Sequence, residues 1–522
     1  MKIVITAAGK SQRFKDRGYL EPKFRLEILE LSVLEHIINM FEATDDVLVV
    51  TTLSLFEKNE EYFLYLKEMN KRIDISIIDE HNDGPVSTVL TASVQNWLGS
   101  DPFIVSYCDF FVRWNYQAFM RQIDEDSPDG CIVTFSGMQS ASRGKTLFAY
   151  LNTRGKDVLE IREKKSFTNS PISELTSAGI YFFKNAKIFR RFSQESIGTF
   201  EGYSEKYVSL VYNPMIKAKL RVTHFQCDKF IGLGTPEDFE EFKYWENYFH
   251  SRNSLSSLGE VENKLIPMAG GGARFKKAQI DVPKALIPIN QEPMFFQALN
   301  SAPRATNNIL LTSKDITKRV ASASANISKE QEKVLVVNIP GKTSGPGATI
   351  LEAKPLVGEM SDVVVSSCDY YLSINHDEFS AIRSQEGIDV IIFYCYFNYY
   401  RMRNPRAFAY CKTNQVGLVE KVVEKSLLSD SPENDKLIVG TFWFRRGSDL
   451  ISALEQAETE NCRVNGEIYV GNSINYLIEK GLKVGVVQIK HWISFGDPEE
   501  LEVFFWWQEL LGDKLQTFST TD

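Results

Sequence analysis

Two short loops carry the residue types that phosphate chemistry needs. The first is Ala7-Ala8-Gly9-Lys10-Ser11-Gln12-Arg13-Phe14, with Pro22-Lys23 nine residues beyond its arginine. It follows Lys2-Ile3-Val4-Ile5-Thr6, an apolar run that predicts a buried β-strand. A glycine-containing turn at the end of such a strand leaves backbone N–H groups facing an open crevice. An anionic phosphate chain suits that place, and an arginine and a lysine would hold its charge. The second loop, Ala269-Gly270-Gly271-Gly272-Ala273-Arg274-Phe275, follows Lys264-Leu265-Ile266-Pro267-Met268 and precedes Pro283-Lys284.

The recurrence extends along the chain. Arg13 and Arg274 lie 261 residues apart, as do Lys23 and Lys284. Gly84-Pro85 returns as Gly345-Pro346, Cys108-Asp109 as Cys368-Asp369, and Phe148-Ala149-Tyr150 as Phe408-Ala409-Tyr410. Glu163-Lys164 matches Glu424-Lys425, and Glu205-Lys206-Tyr207-Val208 matches Glu467-Ile468-Tyr469-Val470. GLGTPEDFEEF, from Gly232, matches SFGDPEELEVF, from Ser494. An offset drifting only between 260 and 262 reads as a tandem duplication of whole domains, since solenoid repeats are far shorter. Domains are expected at residues 1–250 and 263–522, joined by a polar linker at 251–262.

Each half must position these residues with alternating elements. Strand-like runs at Val47–Val50, Ile75–Ile78 and Phe103–Val105 are separated by helix-period stretches at Val33–Phe41 and Thr88–Trp97. That predicts an α/β fold: two tandem Rossmann-like domains, each a mostly parallel open sheet flanked by helices. The chain of 522 residues carries 59 basic and 68 acidic side chains, a net charge of −9 without a basic run. A nucleic-acid partner is therefore not expected. No apolar stretch reaches the ~18 residues of a membrane span. The N-terminus enters a strand at once, so a secretory leader is not expected and the cytoplasm is the expected compartment. Seven cysteines without a CxxC pair and six histidines without HxxxH argue against disulfides, zinc and histidine-based metal chemistry.

Two competing chemistries fail on spacing. Gly9-Lys10-Ser11, Gly144-Lys145-Thr146 and Gly341-Lys342-Thr343 imitate the end of a P-loop, but the glycine required five residues earlier is Val4, Gln139 or Val336. The DxD of a metal-dependent glycosyltransferase is absent, because Phe111 and Tyr371 follow the two aspartates by two residues.

The run A-A/G-G-x-G/S-x-R-F with a following P-K resembles the sugar-1-phosphate nucleotidyltransferases. The resemblance continues through CD, EK, E-x-Y-V and GTPEDF, so it covers nearly all of each half. It implies that a sugar phosphate attacks the α-phosphorus of an NTP and pyrophosphate leaves, in precursor synthesis for surface polysaccharides or glycoconjugates. By resemblance, Arg13 and Arg274 would hold the departing pyrophosphate, and Lys23 and Lys284 would face the α-phosphate. Ala8, Gly9, Gly270, Gly271 and Gly272 would bind the nucleotide's phosphates, and the loops at Gly84 and Gly345 would line the base. Asp109 and Asp369 would hold Mg²⁺, whose remaining ligands are water and phosphate oxygens. Glu163 and Glu424 would take acceptor hydroxyls, and Lys164 and Lys425 the acceptor phosphate.

The late motif of such enzymes, W-x-D-x-G-T-P, carries a second metal-binding aspartate. Gly232 and Ser494 stand in its place here. That leaves open a nucleotide-sugar-binding regulatory protein without turnover; and because EK and GTPEDF do not identify the acceptor, a non-sugar phosphate such as phosphocholine stays open as well. The aromatic clusters Tyr244-Trp245 and Phe504-Phe505-Trp506-Trp507 predict packing between halves or subunits, with a homo-oligomer open.

Overall fold

The computed structural model describes residues 1–69, 72–140, 148–196, 202–251, 260–325, 333–341, 343–398, 402 and 404–512. The central residues 252–259 of the expected linker, and the P-loop-like positions Gly144, Lys145, Thr146 and Lys342, lie outside the described residues. Two compact units divide at Met1–Glu246 and Asn247–Asp522.

The first unit is built on a nine-stranded sheet. Across it run Ile73–Ile78, Asp46–Thr52, Lys2–Thr6, Phe103–Tyr107, Leu175–Phe183, Gly130–Phe135, Val222–Gln226, Asp157–Glu163 and Ala149–Arg154. The first four are mutually parallel. Leu175–Phe183 runs antiparallel to both of its neighbours, Phe103–Tyr107 and Gly130–Phe135. The fold class is therefore α/β, with a parallel half that carries the loops and an antiparallel half beyond it. Ile3, Val4 and Ile5 are fully buried in sequence, the continuous apolar run that a strand covered on both faces requires.

The second unit repeats the order. Lys333–Ile339, Ala305–Ser313, Val261–Met268, Ser361–Val365, Lys436–Arg446, Ile388–Tyr396 and Lys483–Ser494 follow one another across its sheet. Ala409–Thr413 pairs with Val419–Glu424 and Lys436–Arg446, like its counterpart in the first unit. Lys483–Ser494 is one long strand, where the first unit uses Val222–Gln226 and then Lys229–Gly232.

Helix lengths differ from the periodic pattern for local reasons. Val33–Ile38 begins in a capping box: Ser32 Oγ accepts from the Glu35 N–H at 3.2 Å, and Glu35 Oε2 accepts from the Ser32 N–H at 2.9 Å. It ends at Asn39, short of the expected Phe41. Thr88–Trp97 is not one helix but the end of Pro85–Val89 and most of Ala92–Leu98, broken where the Thr91 hydroxyl donates to the Thr88 carbonyl at 2.9 Å. In the late aromatic cluster, Phe504, Trp506 and Trp507 are buried and Phe505 is exposed, with Phe504 packing edge-on to Phe495 at 5.0 Å. All seven cysteines are free thiols. No described helix is long and apolar enough to cross a membrane.

Candidate active site

The strand Lys2–Thr6 leads into a turn, and the helix Gln12–Asp16 starts from Ser11. Ser11 holds φ 52° and ψ 36°, the left-handed conformation that only glycine adopts at no steric cost. At the matching place before Ala273–Lys277, Gly272 takes φ 60° and ψ 39°. The serine is compensated, because its Oγ accepts a hydrogen bond from the Lys23 backbone N–H at 3.2 Å. Both loops thus keep one shape. Ala8 is half-buried, while a Cβ at Gly9, Gly270 or Gly271 would meet nothing within 4 Å, so the turn borders open space.

Behind each loop stands a lysine–aspartate pair. Lys23 Nζ lies 2.8 Å from Asp109 Oδ2, and Lys284 Nζ donates to Asp369 Oδ2. Burial opposes both ammonium charges, but the facing carboxylates outweigh it and hold both lysines above their ordinary value. Burial likewise pushes against the Asp369 carboxylate, yet Lys284 and the Ser367 hydroxyl keep it below the usual range. The neighbouring thiols are pushed up by burial, Cys108 to about 11 and Cys368 to about 12, and so stay neutral. Each aspartate follows the carboxyl end of a strand, where open α/β sheets place ligands. The late motifs pack against the same carboxylates: a Cβ at Gly234 would stand 3.2 Å from Asp109 Oδ2, and one at Gly496 3.3 Å from Asp369 Oδ2.

Gly84 and Gly345 start matching helices with φ 90° and φ 99°. A Cβ there would lie 2.8 Å from the Cβ of Glu205 or Glu467. The close approach is clasped by main chain. The Val86 N–H donates to the Lys206 carbonyl at 3.2 Å, and the Gly347 N–H to the Ile468 carbonyl at 3.0 Å. The loops at Gly84 and Gly345 are thereby joined to the E-x-Y-V segments of their own units.

Glu163 and Glu424 end equivalent strands, and Lys164 and Lys425 follow with φ 55° and φ 52°. Glu163 is 6% exposed and accepts from Ser209 Oγ at 2.7 Å; burial pushes it up to about 6. Burial pushes Glu424 up to about 7. Lys164 Nζ donates to Tyr207 Oη at 2.6 Å, while Lys425 donates to the Ala407 carbonyl and lies 5.5 Å from the Tyr469 ring centre. Burial, against the pull of Glu424, depresses Lys425. Arg13 and Arg274 are both exposed at the start of their helices. Arg274 sits close enough to bear electrostatically on Lys284, Lys425 and Tyr469, which draws the second unit's residues into one site. In the first unit the charges facing Lys23 are Asp109 and Glu205.

The sequence motifs did not single out Tyr207, Tyr469, Ser209 or Glu500. The tyrosines were visible only as the fixed aromatic of E-x-Y-V. Glu500 Oε2 accepts from Ser494 Oγ at 2.6 Å and from the Gly496 N–H at 3.0 Å, and burial pushes it up to about 7. Among the described residues, no group of three or more His, Cys, Asp or Glu could hold a metal ion. A Mg²⁺ ion held by one carboxylate, water and substrate phosphates fits Asp109 or Asp369; a site made by protein ligands alone does not.

Residues 3–168 are similar to the MobA-like NTP transferase domain. No curated protein sequence matches the chain. Among solved structures, a nucleoside-diphosphate-sugar pyrophosphorylase from Vibrio cholerae RC9 is 22% identical, with a TM-score of 0.38 over 46% of this chain and 99% of that one. The inositol-1-phosphate CTP transferase from T. maritima is 13% identical, with a TM-score of 0.39 over 50% and 98%. UTP-bound UGPase from Acinetobacter baumannii is 17% identical, with a TM-score of 0.38 over 49% and 98%.

Proposed function

We propose that the chain is a tandem-duplicated nucleotidyltransferase that joins an NTP to a phosphorylated small molecule, a sugar 1-phosphate in the first instance, and releases pyrophosphate. The observation that carries this reading is the lysine–aspartate pair beneath the same left-handed loop in both units. A phosphate oxygen of the acceptor attacks the α-phosphorus of the NTP, the bond from that phosphorus to the bridging oxygen breaks, and pyrophosphate leaves. Lys23 or Lys284 faces the charge that grows on the α-phosphate, and Arg13 or Arg274 takes the departing pyrophosphate. The loop amides orient the phosphate chain, so that positioning and charge neutralisation do what little the protein must do. Asp109 or Asp369 would hold Mg²⁺, which supplies further neutralisation of the phosphates when bound. A product used for surface polysaccharide or glycoconjugate synthesis, made in the cytoplasm, is the setting this reaction suits.

A screen of the four NTPs against sugar 1-phosphates and phosphocholine, read by pyrophosphate release with Mg²⁺, tests it. Turnover with at least one pair is expected, and its loss on chelation. Nucleotide binding without turnover of any pair would replace this reading with a nucleotide-binding regulator, which the absence of an acid at Gly232 and Ser494 favours.

A further inference from the structure

The late motif opens a helix in each unit, and the two helices are started differently. In the first unit Thr235 stands before Pro236–Ser251. Its Oγ1 accepts from the Asp238 N–H at 3.2 Å and donates to Asp238 Oδ2 at 2.6 Å, so that acid is folded back on its own cap. In the second unit Asp497 caps Pro498–Leu511, and its Oδ1 accepts from the Glu500 N–H at 3.0 Å. A carboxylate has no proton to return to Glu500, and its charge repels the one that Glu500 carries. The swap of threonine for aspartate thus frees the acid four residues into the motif from its cap.

The freed carboxylate goes to the turn at Gly496. A Cβ on that glycine would stand 3.2 Å from Glu500 Oε2, 3.2 Å from Ser494 Oγ and 3.3 Å from Asp369 Oδ2, so the three oxygens border one place. A Cβ at Gly234, the matching position, would meet Asp109 alone. Glu500 Oε2 takes the Ser494 hydroxyl and the Gly496 N–H. Among the described residues no donor reaches Oε1, and no Lys, Arg or His pairs with the carboxylate. The charges that bear most on it, from Asp497 and Asp369, are both negative. A half-buried carboxylate set between two others, with no cation of its own, is an arrangement that a bound cation stabilises.

We infer that Glu500 joins Asp369 in holding the divalent cation of the second unit, from the helix rather than from position 494, where a serine stands. The first unit has no counterpart, since Asp238 is spent on Thr235. Two carboxylates, with water and phosphate oxygens beyond them, are a set that suits Mg²⁺. The use of the ion rests on the nucleotidyltransferase reading, but its binding does not.

The test is titration of the full chain with Mn²⁺ alone, without nucleotide, followed by the loss of the free-ion electron paramagnetic resonance signal. One Mn²⁺ per chain should bind more tightly than any other. Even outer partners of a metal site cost roughly 10–100-fold in affinity when lost, so Glu500→Gln should weaken it about tenfold or more. Asp238→Asn should leave it unchanged. Glutamine keeps an oxygen for the Ser494 hydroxyl and the Gly496 N–H, so a merely structural Glu500 would leave the affinity of that variant at the wild-type value. If Glu500→Gln does not fold, Glu500→Asp, one methylene shorter, takes its place with weakening again expected. No Mn²⁺ binding by the wild type, two equal sites per chain, or an affinity indifferent to position 500 would overturn the inference. Mn²⁺ held through Glu500 by a chain that releases no pyrophosphate from any NTP would sink the proposed reaction and leave this site standing. Pyrophosphate release with Mn²⁺ affinity unmoved by Glu500→Gln would do the reverse.

Discussion

Ser11 and Gly272 hold the same left-handed backbone just before the helices Gln12–Asp16 and Ala273–Lys277, although only one of them is glycine. The serine holds that conformation while accepting from the Lys23 N–H, so in the first unit the loop and the lysine are tied together by a side chain. Ser11→Ala keeps the strained backbone and loses the tie. It should destabilise the first unit by about 1 kcal/mol, the net worth of one such hydrogen bond. Ser11→Gly relieves the backbone instead and should stay near the wild type. A pair of urea unfolding curves separates the two, and equal loss in both variants would show that Ser11 matters for something other than its conformation and its one bond.

Lys284→Ala should lower turnover by roughly 10²–10³-fold, the size of effect seen when one donor to a developing oxyanion is removed. It also leaves the Asp369 carboxylate without its cation, so stability must be measured beside activity. Restored folding in a Lys284→Ala, Asp369→Asn double variant would assign any stability loss to the unpaired carboxylate, leaving the turnover of a folded Lys284→Ala chain to report on the lysine. Full activity in that double variant would take phosphate neutralisation away from this lysine.

The two units need not contribute equally. Asp369→Ala in the full chain should remove most pyrophosphate release, while Asp109→Ala should spare part of it, because the second unit keeps the glycine loop and the electrostatic link of Arg274 to Lys284 and Lys425. The opposite ranking would assign catalysis to the first unit.

Acidity should stabilise the second unit through Glu424. Its folded-state value of about 7 lies above the ordinary 4.5, so between those limits the folded chain holds a proton that the unfolded chain has lost. Stability from this group therefore falls as pH rises through that window. The melting temperature of Glu424→Gln, relative to wild type, should rise steadily from pH 5 to pH 8. A pH-independent difference would show that Glu424 has the same proton affinity folded and unfolded.

Gly84→Ala and Gly345→Ala test the clasp. Both backbones lie in a region open essentially to glycine, at a cost of about 1–3 kcal/mol for any other residue. The new Cβ would also collide with Glu205 or Glu467 at 2.8 Å. Lower melting temperatures are expected for both, and larger losses than for Gly271→Ala, whose added Cβ meets nothing.

The central strands Lys2–Thr6, Asp46–Thr52 and Phe103–Tyr107 were legible because they are buried on both faces and bounded by turn residues. Lys2–Thr6 needed no more than its own apolar run. The helix beginning at Val33 was legible in its face but not in its end, which Asn39 sets by main-chain bonding that periodicity does not record. Lys23, Asp109, Glu163 and their partners could be named because they recur at one offset, and the structure brings each lysine to its aspartate. What recurrence could not reveal was the setting of Glu163. Ser209 is distant in sequence from the glutamate it addresses, and nothing local marks a serine as a donor to a carboxylate 46 residues away.

The main-chain clasp at Gly84 and Gly345 has a consequence for inheritance. A bond between backbone atoms does not depend on which side chains its residues carry, so the segments around Lys206 and Ile468 could exchange a lysine for an isoleucine without moving. Such a joint lets the side chains beside it differ between the two units while the backbone contact stays the same. At the joint both units carry glycine, since a Cβ there would stand 2.8 Å from that of Glu205 or Glu467.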